Sequence, residues 1–209
     1  PEASKFAYDK QYGYLTSCPT NAGTGIRASV MMHLPALTMS GYIKTILEAC
    51  SKLGIDVRGV YGENTNAYGN VYQISNRVTL GQKTDDIISK VKNMALQLAN
   101  QERILRKDLH LKNKNKFEDK IYRSLGILSN ARMLSYTEAA KFISDIRLGV
   151  DVGLINDISP IILNKMIFVI KPGFLQKIVK NNLTEEERDI KRAELIRNLI
   201  TLKTDVDFF

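Results

Sequence analysis

Two arginines and one glutamate stand where chemistry is most concentrated. Arg58 lies on Val57-Arg58-Gly59-Val60-Tyr61, whose valines and tyrosine suit a pleated surface, and Glu63 follows Gly62 at the mouth of a Gly, Asn, Thr and Tyr loop. Val71-Tyr72-Gln73-Ile74 then reads as a strand again. A carboxylate at a strand end beside such a loop suits catalysis, and the same residues also make a long hairpin with a solvated glutamate. Upstream, Arg27 sits in the clearest strand of the chain, 26–34. There Ile26, Ala28, Val30, Met32 and Leu34 fall on one face, and Arg27, Ser29, Met31 and His33 on the other. No P-loop and no kinase-type glycine loop is present, so a phosphate chain would have to be held by guanidinium forks, which match phosphate oxygens bidentately. Arg27 and Arg58 project from two strands expected to be neighbours in one sheet, although strand arginines are also ordinary surface residues. Two histidines far apart, and Cys18 and Cys50 without ligand spacing, leave no zinc site in the pattern.

The elements that must position these groups follow from periodicity. Residues 12–18 read as a strand stopped by Pro19, and 20–25 are turn-rich. Ile43, Ile46, Leu47, Cys50 and Leu53 recur at helical spacing, with Gly54 placed to stop that helix. Cys50 on this face is a small core residue. After Asn76 the pattern becomes helical. Thr84, Asp85 and Asp86 start a long amphipathic helix through Ile87, Ile88, Val91, Ala95, Leu98 and Glu102. The polar run 112–116 is the expected domain boundary, dividing 1–112 from 113–209. Ser135 with Glu138, and Thr184 with Glu187, form two capping boxes, and Pro160, Pro172 and Gly173 punctuate further helices. The fold class expected is α+β: an antiparallel sheet with helices on one face, followed by an all-helical C-terminal region.

Composition narrows the class of partner. The chain has 209 residues, 44% hydrophobic and 25% charged, which is enough for one or two cores. A formal charge of +8 favours an anionic partner: nucleotide phosphates, nucleic acid or an acidic protein. No nucleic-acid motif and no stacking aromatic series is present, so nucleic acid ranks last. The basic run around Arg103, Arg106, Lys107, Lys112, Lys114 and Lys116 reads as a solvated helix end. No apolar run is long enough to span a bilayer, and the cysteine usage fits a reduced, cytoplasmic setting. The first residues, Pro1-Glu2-Ala3-Ser4-Lys5, lack an initiator methionine, so a fragment is expected.

Four blocks in order carry a resemblance: Tyr14-Leu15-Thr16-Ser17-Cys18-Pro19-Thr20-Asn21, Gly23-Thr24-Gly25-Ile26-Arg27-Ala28-Ser29-Val30, Arg58-Gly59-Val60-Tyr61-Gly62-Glu63 and Tyr72-Gln73-Ile74-Ser75-Asn76. Together they resemble the ATP:guanidino phosphotransferases (phosphagen kinases). Asn64, Asn66 and Tyr68 depart from the His and Glu of the small-molecule kinases of that family. The helical tail, with Arg123-Ser124-Leu125-Gly126-Ile127-Leu128, Asp145-Ile146-Arg147-Leu148-Gly149 and Arg188-Asp189-Ile190-Lys191-Arg192-Ala193, resembles the bacterial protein-arginine kinases. The resemblance implies a partial catalytic domain, because in that family the domain begins well before Pro1 and the earlier part carries further arginines and a second carboxylate.

The resemblance also implies roles. Arg27 and Arg58 would bind ATP phosphates, with Arg27, Ala28, Ser29, Val30 and Met31 and then Arg58, Gly59, Val60, Tyr61, Gly62 and Glu63 lining the nucleotide site. Glu63 would hold the acceptor guanidinium and take its proton, since a protonated guanidinium is no nucleophile. Cys18 matches the family's active-site cysteine, with a buried strand cysteine as the alternative. Mg²⁺ is expected with ATP, its ligands mostly phosphate and water, since no acidic cage is visible. Arg188, Asp189, Ile190, Lys191, Arg192 and Ala193 would form an allosteric phosphoarginine site. The implied partners are protein substrates with accessible arginines, a zinc-binding activator and a AAA+ protease system acting in stress response, with a homodimer left open. The competing readings are a phosphoarginine-binding module without catalysis, and a kinase for free arginine or another small guanidino compound.

Overall fold

The computed structural model describes residues 6–59 and 67–202, which form an α+β chain. A short hairpin comes first, β1 (Tyr8–Asp9) against β2 (Gly13–Tyr14). The main sheet has three antiparallel strands: β3 (Ser29–His33), β4 (Ile55–Gly59) and β5 (Val71–Asn76), in the order β3-β5-β4. Eight helices complete the described residues: α1 (Pro35–Met39), α2 (Ile43–Lys52), α3 (Thr84–Lys112), α4 (Lys114–Asn130), α5 (Tyr136–Asp151), α6 (Pro160–Val169), α7 (Pro172–Val179) and α8 (Glu185–Leu202).

The chain divides into two compact units, the first comprising 1–67 and 71–103, the second 68–70 and 104–209. In the first, the period of two sends Ile55, Val57, Ile74, Val30 and Met32 to one side of the sheet. Helix α2 lays Ile46 and Cys50, and α3 lays Val91, Met94 and Leu98, on that same side. Cys50 is 2% exposed, its thiol pushed up by burial and donating to Met94 Sδ at 3.6 Å. Gly54 ends α2 with φ +71, the left-handed conformation glycine adopts without strain.

Several expected elements are corrected. The strand expected over 12–18 is regular only at Gly13–Tyr14, which pairs with β1, while Tyr14 also exchanges backbone bonds with Gly23. The strand expected over 26–34 is regular only from Ser29. Ile26 and Ala28 are held instead by the Asn76 side chain, which donates to Ile26 O at 3.2 Å and accepts from Ala28 N at 2.8 Å. Pro35 ends the strand but also opens α1, where its fixed φ suits the first helical position. That helix has no cap of its own. Glu102, 2% exposed on α3, accepts from Ala36 N and Leu37 N at 2.9 Å each. Ile88, expected on the buried face of α3, is 48% exposed.

The second unit is helical around one continuous core. Phe117, Ile121 and Leu128 of α4 meet Ile143, Ile146 and Leu148 of α5, Leu163 and Met166 of α6 and Ile196 and Leu199 of α8. Both capping boxes form: Ser135 N donates to Glu138 Oε2 at 3.1 Å, and Thr184 N to Glu187 Oε2 at 2.7 Å. Pro160 and Pro172 each open a helix at its first position. The segment Tyr68–Asn70 belongs to this unit. Asn70 Nδ2 donates to Ser144 Oγ at 2.7 Å, and the Tyr68 ring stands edge-on to Tyr136 at 5.8 Å.

Candidate active site

The side of the three-stranded sheet opposite its core carries the polar residues. Register puts Ser29, Ser75 and Asp56 in one row, and Met31, Gln73 and Arg58 in the next. Arg27 precedes the first row. Asn76 fixes its backbone, as described above, and Arg27 Nη2 donates to Ser75 Oγ at 3.1 Å. Arg27 and Arg58 are not on neighbouring strands as expected: β5 lies between β3 and β4. They converge nonetheless. Both guanidinium groups reach the carboxylate of Asp56, Arg27 Nη2 at 3.8 Å and Arg58 Nη2 in close contact. All three side chains are part-exposed, at 37%, 30% and 24%. Two cations thus flank one anion on this sheet face.

The alternation splits the rest of the predicted nucleotide segment. Ala28 and Val30 pack toward the core, so on the open face the segment presents Arg27, Ser29 and Met31, with Met31 57% exposed. Gly59 is buried at the end of β4. Val60, Tyr61, Gly62 and Glu63 lie outside the described residues. The sequence signal for Asp56 is its position two residues before Arg58, which places it on the same strand face.

Cys18 is exposed and stands at the turn before a 3₁₀ segment, Pro19–Asn21, not within a strand. This overturns the alternative of a buried strand cysteine. Its Sγ lies 2.9 Å from Thr20 Oγ1, and its carbonyl accepts from Thr16 Oγ1 at 2.6 Å. Among the described residues no group of three His, Cys, Asp or Glu could hold a metal ion. No described helix is long and apolar enough to cross a membrane.

On α8 the arginines are not a like-charged surface pair. Arg192 is 1% exposed, and it donates from Nε to Ile170 O at 2.9 Å and from Nη1 to Leu134 O at 2.6 Å. Asp189 pairs with the same Nη1 at 2.5 Å, and its backbone carbonyl accepts from Leu134 N at 3.1 Å. Arg188 is half-buried and donates to Leu183 O at 3.0 Å. Lys191 pairs with Glu194 at 2.9 Å, Ile190 is 45% exposed and Ala193 is in the core. The motif residues thus sit together on one helix, with Arg192 spent on the fold and Asp189 set at its edge.

Residues 2–105 match the family model for the ATP:guanido phosphotransferase C-terminal catalytic domain, and residues 114–207 that for the protein-arginine kinase McsB C-terminal domain. Similar proteins include the protein-arginine kinases of Bacillus pumilus, 50% identical over 202 residues, and of Bacillus subtilis, 49% identical over 202. Each match takes in 97% of this chain and 56% of the relative. That of Clostridium kluyveri is 46% identical over 203 residues, 97% of this chain and 59% of the relative. The chain thus spans little more than half the length of these relatives. Among solved structures, lombricine kinase is similar with a TM-score of 0.43 and 32% identity, over 49% of this chain and 27% of that one.

Proposed function

Because the chain belongs to the ATP:guanido phosphotransferases and ends in the helical region of the protein-arginine kinases, we propose that it serves ATP-dependent phosphorylation of arginine side chains in proteins. In this reading residues 1–112 are the C-terminal part of the catalytic domain and 113–209 a helical domain that recognises phosphoarginine. The observation that carries it is the convergence of Arg27 and Arg58 on one open sheet face, in a chain 50% identical to a protein-arginine kinase. The match of the tail to the protein-arginine kinase model supports a protein acceptor over free arginine. The same likeness supports an activator protein and a protease system as partners in a cytoplasmic stress response.

The work assigned to this chain is mostly positioning and electrostatics, as phosphoryl transfer requires. Arg27 and Arg58 bind the phosphate oxygens of the substrate ATP and spread the charge that develops on the transferred group. Glu63 orients the acceptor guanidinium and takes one proton from the attacking nitrogen as the N–P bond forms and the bond to ADP breaks. Cys18, exposed beside Thr20, sets a sulfur against the guanidinium. The described residues do not fit a protein-held metal, so Mg²⁺ is assigned to the phosphates and water, and no step is placed on it.

The test uses the full-length gene product. Glu63→Gln is expected to lower arginine phosphorylation roughly a hundred- to ten-thousand-fold while ATP affinity holds. Arg27→Ala and Arg58→Ala are expected to weaken ATP binding by about 1.5–3 kcal/mol each, read by calorimetric titration. Near-normal turnover of the first, with unaltered affinity in the other two, overturns the reading. A second reading, favoured by the Asp189–Arg192 pair, is an allosteric site at Arg188, Asp189, Ile190, Lys191, Arg192 and Ala193. In it Arg192 fixes Asp189 to receive a guanidinium, and Arg188 faces the phosphate.

A further inference from the structure

We propose that Asp56 is a positioning residue that stands in for a phosphate: its carboxylate holds Arg27 and Arg58 together before nucleotide arrives, and the phosphate chain takes the two guanidinium groups by exchange with it. This rests on the reading that those arginines bind ATP.

Three observations support it. First, Arg27 lies two residues before β3 and Arg58 is on β4, the outer strands of the sheet, with β5 between them. Nothing in strand pairing brings their side chains together, and like charges facing one another push apart. Asp56 is a group they share: its Oδ2 contacts Nη2 of both. A carboxylate oxygen offers a guanidinium the same acceptor chemistry as a phosphate oxygen. Second, Asp56 is on the same strand face as Arg58 two residues away, and in register with Ser75. Ser75, 1% exposed, accepts from Arg27 at 3.1 Å and forms part of the floor of the site. Arg27 therefore keeps a fixed contact when the carboxylate lets go. Third, none of the three charged side chains is buried, at 24% to 37% exposure. Ion pairs this open to solvent are weak and exchangeable, whereas a sealed pair would resist an incoming anion.

The consequence for catalysis is a split between binding and rate. The carboxylate repels the phosphate chain and so weakens ground-state binding, but it delivers two preorganised guanidinium groups to the transferred phosphoryl group. In the full-length gene product, Asp56→Asn is expected to tighten ATP binding about three- to tenfold by calorimetry. KM for ATP and kcat are expected to fall together. Asp56→Glu should restore the wild-type pattern in part, and Asp56→Ser should repeat the effect of Asn should that variant fold poorly. In an Arg58→Ala background the tightening should shrink, because one of the two partners is gone. Unchanged or weakened ATP binding in both Asp56→Asn and Asp56→Ser overturns the proposal, as does a fall in kcat with a raised KM, the pattern of plain structural damage. Weakened binding in Arg27→Ala and Arg58→Ala beside unaltered binding in Asp56→Asn overturns this inference alone. Unaltered binding in the arginine variants overturns the phosphate assignment, and this inference with it.

Discussion

Arg192 shows how a charged side chain can serve packing. It is a full positive charge at 1% exposure, held by two backbone carbonyls and Asp189. Truncating it leaves those acceptors buried without their donor, and removing one partner of a buried pair costs about 3–5 kcal/mol. Arg192→Ala is therefore expected to lower the urea midpoint of the helical unit sharply, and Arg192→Lys to rescue little, since an ammonium cannot reproduce a planar fork. Arg188→Ala, at a half-buried site with one carbonyl contact, should cost about 1 kcal/mol. A folded Arg188→Ala or Asp189→Ala variant that binds phosphoarginine as wild type does would remove the allosteric reading. That burial is legible in the sequence. Arg192 precedes Leu195, Ile196 and Leu199 by three, four and seven residues, the spacing of one helix face. Asp189, three residues before Arg192, stands at pairing distance along the helix, and the contact is present.

Helices and strands announced themselves where the signal is local. The alternation of β3, the acidic start of α3 and both capping boxes can each be read within a few residues. Helix α1 could not, because its capping carboxylate, Glu102, is 65 and 66 residues away from the amides it binds. The sheet face shared by Arg27 and Arg58 was legible in the alternation, but not the strand order that separates them, which depends on long-range pairing. The capping boxes carry a pH consequence. Hydrogen bonds from the Ser135 side chain and backbone hold Glu138 below the usual glutamate range, and bonds from Thr184 do the same for Glu187. A carboxyl depressed in the folded state contributes stability above its unfolded value, and that contribution is lost as pH falls through the folded value. The start of α5 is thus expected to be fully supported at neutral pH and to weaken only below the ordinary glutamate range. Ser135→Ala should cost about 1 kcal/mol at pH 7 and less in acid, read by thermal unfolding at both.

At the scale of the whole molecule, the two compact units have unequal cores. Among the described residues the helical unit buries 21 apolar residues and the sheet unit 11. Burial of apolar area is the main stabilising contribution, so the sheet unit is expected to melt first. Calorimetry of the chain should resolve two transitions, with ATP and Mg²⁺ raising only the earlier one. A single transition would mean that the units unfold together. The division between them falls inside α3, at 103–104, near the residue 105 where the catalytic-domain match stops.

The placement of Tyr68–Asn70 bears on how such a chain can change over generations. These three residues lie within the stretch that matches the catalytic domain, yet they pack in the helical unit. A Cβ on Gly69 would come within 2.8 Å of Ala140 O, Gly69 and Asn70 both have positive φ, and Asn70 is bonded to Ser144. The fit is backbone against backbone, with no slack for a bulkier neighbour. Recombination that replaced everything after 113 with an unrelated ending would leave this triplet facing a helix it was not shaped for. Substitution at position 69 or 70 is therefore expected to be tolerated best alongside a matching change at 140 or 144.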